Sequence, residues 1–171
     1  MRKNIDFFRV YGLLVVGQLL ICNYFHLTPY IMLTILPTMV LCIPLRFSTP
    51  VTLAIAFGSA LLVDLLSDGV AGLNLLALLP VAYLRQPLIR AVFGDGLFAR
   101  EEDFSLRRSG VGKVATLLFL GQAIFLSLYV WADGAGVRPF WFNAVRFSAS
   151  LLAGWLLSFF VVDLLSPDDR R

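Results

Sequence analysis

Apolar blocks long enough to cross a lipid bilayer recur along the whole chain. About 30 Å of hydrocarbon is spanned by roughly 17 to 25 helical residues. Blocks near that length lie at about 10–25, 30–45, 51–66, 70–86, 114–131 and 143–165. Because hydrocarbon offers no hydrogen-bond partners, backbone N–H and C=O groups must pair within the protein, which leaves helices and closed barrels as solutions. The apolar residues here come in blocks and do not alternate with polar ones, so helices are expected. Composition agrees: 59% of the 171 residues are hydrophobic and 15% are charged, against about 25% charged in soluble domains. The expected fold is an all-α polytopic membrane protein, a six-helix transmembrane bundle forming one domain over residues 1–171, with a cytoplasmic loop at 87–113.

Details qualify individual blocks. Arg2 and Lys3 precede the first, as in a signal peptide, but no small-residue cleavage site follows, so it reads as a retained helix. Pro37 predicts a kink in the second block, since proline removes one helical hydrogen bond. Gly72, Asn74 and Pro80 interrupt the fourth, which leaves two readings, spanning or re-entrant. Beyond it, Pro87, Leu88, Ile89, Ala91, Val92 and Phe93 predict a short amphipathic helix on the membrane surface. Cys22 and Cys42 lie inside apolar blocks without metal-ligand spacing and read as hydrophobes.

Charge sets the expected orientation, because Lys and Arg accumulate on the cytoplasmic side. With six crossings and a cytoplasmic N-terminus, the inside holds Arg2, Lys3, Arg9, Arg46, Arg85, Arg90, Arg100, Arg107, Arg108, Lys113, Arg170 and Arg171, and the outside only Arg138 and Arg146. Five crossings would strand the basic loop on the wrong face. Tyr24, Phe25, Trp131, Phe140 and Trp141 then form an outer aromatic belt. The net charge of +3 reflects topology, and nucleic-acid binding is not expected. The basic loop, with Asp95, Glu101, Glu102 and Asp103 beside it, is either a solvated segment or a dock for a cytoplasmic protein or anionic lipid.

Internal similarity is slight. Val63-Asp64-Leu65-Leu66-Ser67 recurs as Val162-Asp163-Leu164-Leu165-Ser166, and Gly17-Gln18 as Gly121-Gln122. The two Asp segments would point to opposite faces while the Gly-Gln pairs share a direction, so both matches read as coincidence.

Polar groups within apolar blocks are the candidates for function, since they are costly in a membrane. Asp64 ends a stripe of small residues, Ala56 and Ala60, at a spacing that lets helix backbones approach. It reads either as a meeting point for a partner helix or polar ligand, or as a hydrated carboxylate capping the turn with Asp68. Gln18, Asn23, Asn74 and Gln122 read as interhelical hydrogen bonds or as a substrate pocket. Arg85 is the one charge in the fourth block. His26 has no Cys or second His beside it to make a metal site. Neither Gly-x-Ser-x-Gly nor a Walker loop occurs, and no carboxylate pair shares a face, so neither catalysis nor a cofactor is expected.

The stretch Leu62-Val63-Asp64-Leu65-Leu66-Ser67-Asp68-Gly69-Val70-Ala71-Gly72-Leu73-Asn74-Leu75-Leu76-Ala77, continuing to Tyr83-Leu84-Arg85, resembles the signature of the rod-shape-determining MreD family. An Asp-Leu-Leu segment at a helix end is followed there by a glycine-containing turn and Gly-Leu-Asn opening the next helix. Chain length, the early Gln18 and the basic loop after the fourth block fit too; Val70-Ala71 departs, where the family often has proline. The resemblance implies a non-catalytic subunit of the bacterial cell-elongation machinery in the cytoplasmic membrane. It would bind the membrane helix of MreC, with Ala56 and Ala60 as the docking stripe, and through MreC reach MreB, RodA and a class B penicillin-binding protein. The MreD family is similar in turn to the six-helix substrate-binding components of energy-coupling-factor vitamin transporters. That likeness implies the alternative, a bundle enclosing a small molecule or lipid near Asp64, Gln18 and Gln122.

Overall fold

The computed structural model describes residues 2–24, 30–67, 72–94, 110–134 and 138–165, with side chains from Phe7 onward. The turn at 68–71, His26, the charged stretch 95–109 and the tail 166–171, on which parts of the sequence reading fall, lie outside the described residues. Among the described residues six helices follow one another: α1 (Arg2–Tyr24), α2 (Leu36–Leu41), α3 (Thr49–Leu66), α4 (Leu73–Phe93), α5 (Val111–Gly134) and α6 (Phe140–Leu165). All except α2 are long and apolar enough to cross a membrane.

Two expectations are corrected. The fourth block is long and apolar enough to span, as its first reading had it, but residues 87–93, expected as a separate surface helix, continue the same helix. It runs unbroken for 21 residues through Pro80 and Pro87, about 31 Å at 1.5 Å per residue. The second block is not a kinked helix. Residues 30–35 are non-helical, and only the six residues of α2 coil, with Pro37 in the first turn. Proline lacks the N–H that would bond back to Leu33 and its ring would crowd that carbonyl, so the helix starts at Leu36 with Pro37 in its first turn and does not extend further back.

The broken segment still traverses the bundle. The Tyr30 ring packs on Phe142 near the start of α6, with centroids 4.9 Å apart, and the Phe47 ring packs on Phe8 near the start of α1, at 5.9 Å. Between them, Met32 bonds Ser150, Gln18 and Gln122 bond residues 33–35, Thr38 bonds Ser158 and Arg85 bonds Leu41 and Ile43. Read in order, these partners descend α6 and α4. Five non-helical steps of up to about 3.3 Å and about 9 Å of α2 together approach the hydrocarbon thickness. With this crossing, the ends of α3 and α4 joined by the Asp64–Asn74 bond lie opposite to the ends at Phe93 and Val111.

Around this centre, α4 packs most closely on α3 and α5, and α5 also packs on α6; α2 touches every other helix. Tyr11 on α1 donates to Ser59 on α3 at 3.3 Å, and the Trp155 indole on α6 donates to the Ala115 carbonyl on α5 at 2.9 Å. Leu36, Met39, Val40, Leu41, Leu78 and Phe125 are fully buried. Tyr24, Trp131, Phe140 and Trp141 are exposed, at the end of the bundle where α1 and α5 finish and α6 begins.

Five membrane-length helices and the broken segment between α1 and α3 make a sidedness prediction. In a background without Cys22 and Cys42, cysteines replacing Tyr30 and Ser48 should label with an impermeant maleimide from opposite sides of the membrane. Ser67→Cys and Val111→Cys should likewise react from opposite sides, and labelling of Tyr30→Cys and Ser48→Cys from one side would refute the broken crossing.

Candidate functional site

Non-helical backbone at membrane depth leaves carbonyls and amides without partners, each costing several kcal/mol if unpaired. Side chains of three helices meet that need. Gln18 Oε1 accepts from the Ile35 amide at 2.7 Å, while its Nε2 donates to the Leu33 carbonyl at 3.4 Å and to the Cys22 sulfur at 3.1 Å. From the opposite flank, Gln122 Nε2 donates to the Thr34 carbonyl at 3.0 Å and to Ser158 Oγ at 3.2 Å. Ser150 Oγ accepts from the Met32 amide at 2.8 Å. Below these, the Thr38 and Ser158 hydroxyls share a hydrogen bond of 2.6 Å. Gln18, Gln122, Ser150 and Ser158 are all fully buried.

Small residues allow this approach. Ser150, Gly154 and Ser158 follow one another at four-residue spacing and are all buried, so one stripe of α6 faces the broken segment. Gly121 does the same for α5, since a Cβ there would run into the Leu41 side chain. A Cβ on Gly154 would come within 3.3 Å of the Gln122 amide group.

The lower end of α2 is capped by a cation. Arg85 Nε donates to the Leu41 carbonyl at 3.3 Å and Nη2 donates to the Ile43 carbonyl, although the residue is 1% exposed. Carbonyls at a helix C-terminus carry partial negative charge, and a guanidinium with five donors suits them.

Asp64 caps α4 from the preceding helix. Gly72, with φ 92°, is the N-cap of α4 and has no side chain to cover the first free amides. Asp64 Oδ1 accepts from the Asn74 backbone N–H at 3.1 Å and from Asn74 Nδ2 at 2.9 Å, and Oδ2 accepts from the Leu75 N–H at 3.1 Å. A carboxylate here meets both the unpaired donors and the positive end of the α4 dipole. It caps the corner, as the second reading expected, but as a buried group, 4% exposed; Asp68 lies outside the described residues.

The predicted site residues therefore separate into three places. Gln18 and Gln122 join on the broken segment, Arg85 stands at its lower end, and Asp64 with Asn74 fixes the α3–α4 corner. No hydrogen bond among the described residues links Asp64 to either glutamine, and the Nε2 groups of both glutamines are spent on the broken segment. Ala56 and Ala60 need correcting too: both are fully buried on the face α3 turns to its own bundle, which leaves no room for a partner helix. Asn23 on α1 donates to the Leu66 carbonyl at 3.3 Å. Asp163, the sequence counterpart of Asp64, is exposed, which agrees with a coincidental match.

Sequence reasoning missed Thr34, Thr38, Ser150 and Ser158, although the Ser150–Gly154–Ser158 spacing was a legible signal. It also missed a cluster at the aromatic end, where Asp133 Oδ2 accepts from Arg138 at 3.1 Å and from Arg146. Among the described residues, no group of three His, Cys, Asp or Glu converges as a metal site would require. No known protein family, curated protein or solved structure matches the chain.

Two measurements check these roles. Gln122→Leu should lower stability in detergent by about 1–3 kcal/mol, because it leaves the buried Thr34 carbonyl unpaired; an unchanged unfolding midpoint would remove the amide from its bridging role. Asp64→Ala should cost about 0.5–2 kcal/mol, as loss of a helix cap does. Combined with Asn74→Ala it should cost less than the two single effects added, and strict additivity would separate the pair.

Proposed function

We propose that the chain is a non-catalytic, MreD-type subunit of the bacterial cell-elongation machinery. In this reading it lies in the cytoplasmic membrane, binds the membrane helix of MreC, and through MreC is tied to MreB, RodA and a class B penicillin-binding protein. The supporting observation is the Asp64–Asn74 contact. The resemblance to MreD rests on an Asp-Leu-Leu segment and a Gly-Leu-Asn opening ten residues apart, and these are the groups that bond. A capped corner between two spanning helices gives that spacing a physical reason, and the work it does is structural.

Polar chemistry elsewhere is also committed to architecture. Gln18 and Gln122, two of the three groups offered to a ligand in the transporter reading, donate their amides to backbone carbonyls, so that alternative is less favoured. Orientation draws support from charge. Arg9, Arg46, Arg90 and Lys113 are exposed toward the end where α1 begins, whereas Arg138 and Arg146 at the aromatic end both pair with Asp133. Basic residues collect on the cytoplasmic side, and the end where α1 begins exposes the larger number of them, so both chain ends are assigned to the cytosol, beside anionic lipid headgroups.

Co-expression with MreC is the direct test. An affinity tag on this chain should retain full-length MreC in mild detergent, and a version of MreC whose membrane helix is replaced by an unrelated apolar helix should be lost. Equal recovery of both forms, or of neither, would overturn the reading. Retention of a small molecule by the purified chain, with a matching ligand-dependent thermal shift, would favour the transporter alternative.

A further inference from the structure

The outward side of the α3–α4 pair carries a groove and a chemical demand that this chain does not meet. Leu53, Ala54 and Phe57 on α3 face Leu79, Pro80 and Tyr83 on α4 across an open cleft of about 740 Å³. Ala54 is exposed, and one turn on, no other part of the chain lies within 4 Å of where a Gly58 Cβ would stand. An Ala-x-x-x-Gly spacing open to the membrane permits close approach of another helix backbone.

Along the edge of this cleft, α4 contains two prolines. Pro80 and Pro87 have no N–H, so the helical donors to the Leu76 and Tyr83 carbonyls are missing. Seven residues separate the two carbonyls, which puts them on one side of the helix two turns apart. Leu76, Tyr83 and Pro87 are all exposed. A carbonyl facing hydrocarbon needs a donor, and an acyl chain has none to give.

We propose that this face seats a single transmembrane helix of a different chain, packed against Ala54 and Gly58 and presenting hydroxyl or amide donors seven residues apart to the Leu76 and Tyr83 carbonyls. The inference rests on the reading of the chain as a subunit that holds a partner's helix, and adds where that helix lies and what chemistry it carries.

Photo-crosslinking in native membranes tests it, with benzoyl-phenylalanine at Phe57 or Tyr83 and, as comparison, at Leu152 or Phe160 on the exposed face of α6. Adducts are expected from the first pair only, mapping to one membrane helix with Ser, Thr, Asn or Gln at heptad spacing. Pro80→Ala and Pro87→Ala each restore the missing N–H and favour helix. With the thermal midpoint retained, each should reduce adduct yield about threefold, the measure of one average interhelical hydrogen bond, and together about tenfold. Adducts only to lipid or to a second copy, equal adducts from α6, no adduct at all, or yields indifferent to the proline changes would each overturn the proposal. The two readings separate by the partner found. MreC captured only through α6 would sink the groove and leave the functional assignment, whereas the expected helix belonging to some other protein would do the reverse.

Discussion

The fold depends on satisfying one stretch of uncoiled backbone in a medium that cannot hydrogen-bond to it. Residues 32–35 run through the middle of the bundle without helical pairing, and Gln18, Gln122 and Ser150 complete their bonds from three different helices. Each bond is individually modest. The asymmetry matters more, because an unmade bond in hydrocarbon costs several kcal/mol while a made one gains about one. The helices are thereby held in register, since a shift of α1 or α5 by one turn would carry its amide about 5.4 Å from the backbone it serves.

The same economy governs the two buried charges. Asp64 and Arg85 lie in membrane-length helices, and each bonds several backbone groups at a helix end. Asp64 is answered by the first amides of α4 and Arg85 by the last carbonyls of the broken segment. A helix end presents several aligned partial charges together with unpaired donors or acceptors. It can therefore stabilise a buried ion through several bonds, without desolvating a second full charge. Both residues sit where a crossing starts or stops, which is why charge and chain reversal coincide in this sequence.

What could be read in advance follows from this physics. The five long helices were legible because each has an apolar block of membrane length, and their boundaries moved by only a few residues, except at the start of α1, which reaches back through Arg9 to Arg2, and at α4, where Pro87 was read as a break and is accommodated inside the helix. The broken second segment was not legible. Its composition is that of a span, and whether proline kinks a membrane helix or ends it depends on the donors and acceptors its neighbours bring. Those came from Gln18, Gln122 and Ser150, up to 118 residues away. Gln18 and Gln122 were singled out as costly polar groups, but their target was a backbone, and backbone leaves no mark in the sequence. The Asp64–Asn74 pair was found through motif spacing, whereas its capping role required the side-chain-free Gly72 to be recognised as the N-cap.

A central segment with this construction also bears on how such a bundle works. Because α2 touches every other helix, its position is set by the whole assembly, and lipid supplies no hydrophobic force to press the helices together. Specificity must come from close packing at Gly121 and Gly154 and from the buried bonds. Both are short-ranged and fail abruptly with displacement. A bundle held this way resists gradual deformation and suits a fixed platform better than a carrier whose core must open. The outward α3–α4 face is different, for Pro80 and Pro87 leave backbone acceptors there that no described side chain of this chain reaches. Inside the bundle Gln122 Oε1, Asn74 Oδ1 and Asn143 Oδ1 are buried without a hydrogen-bond partner, whereas the acceptors freed by Pro80 and Pro87 point outward to another helix.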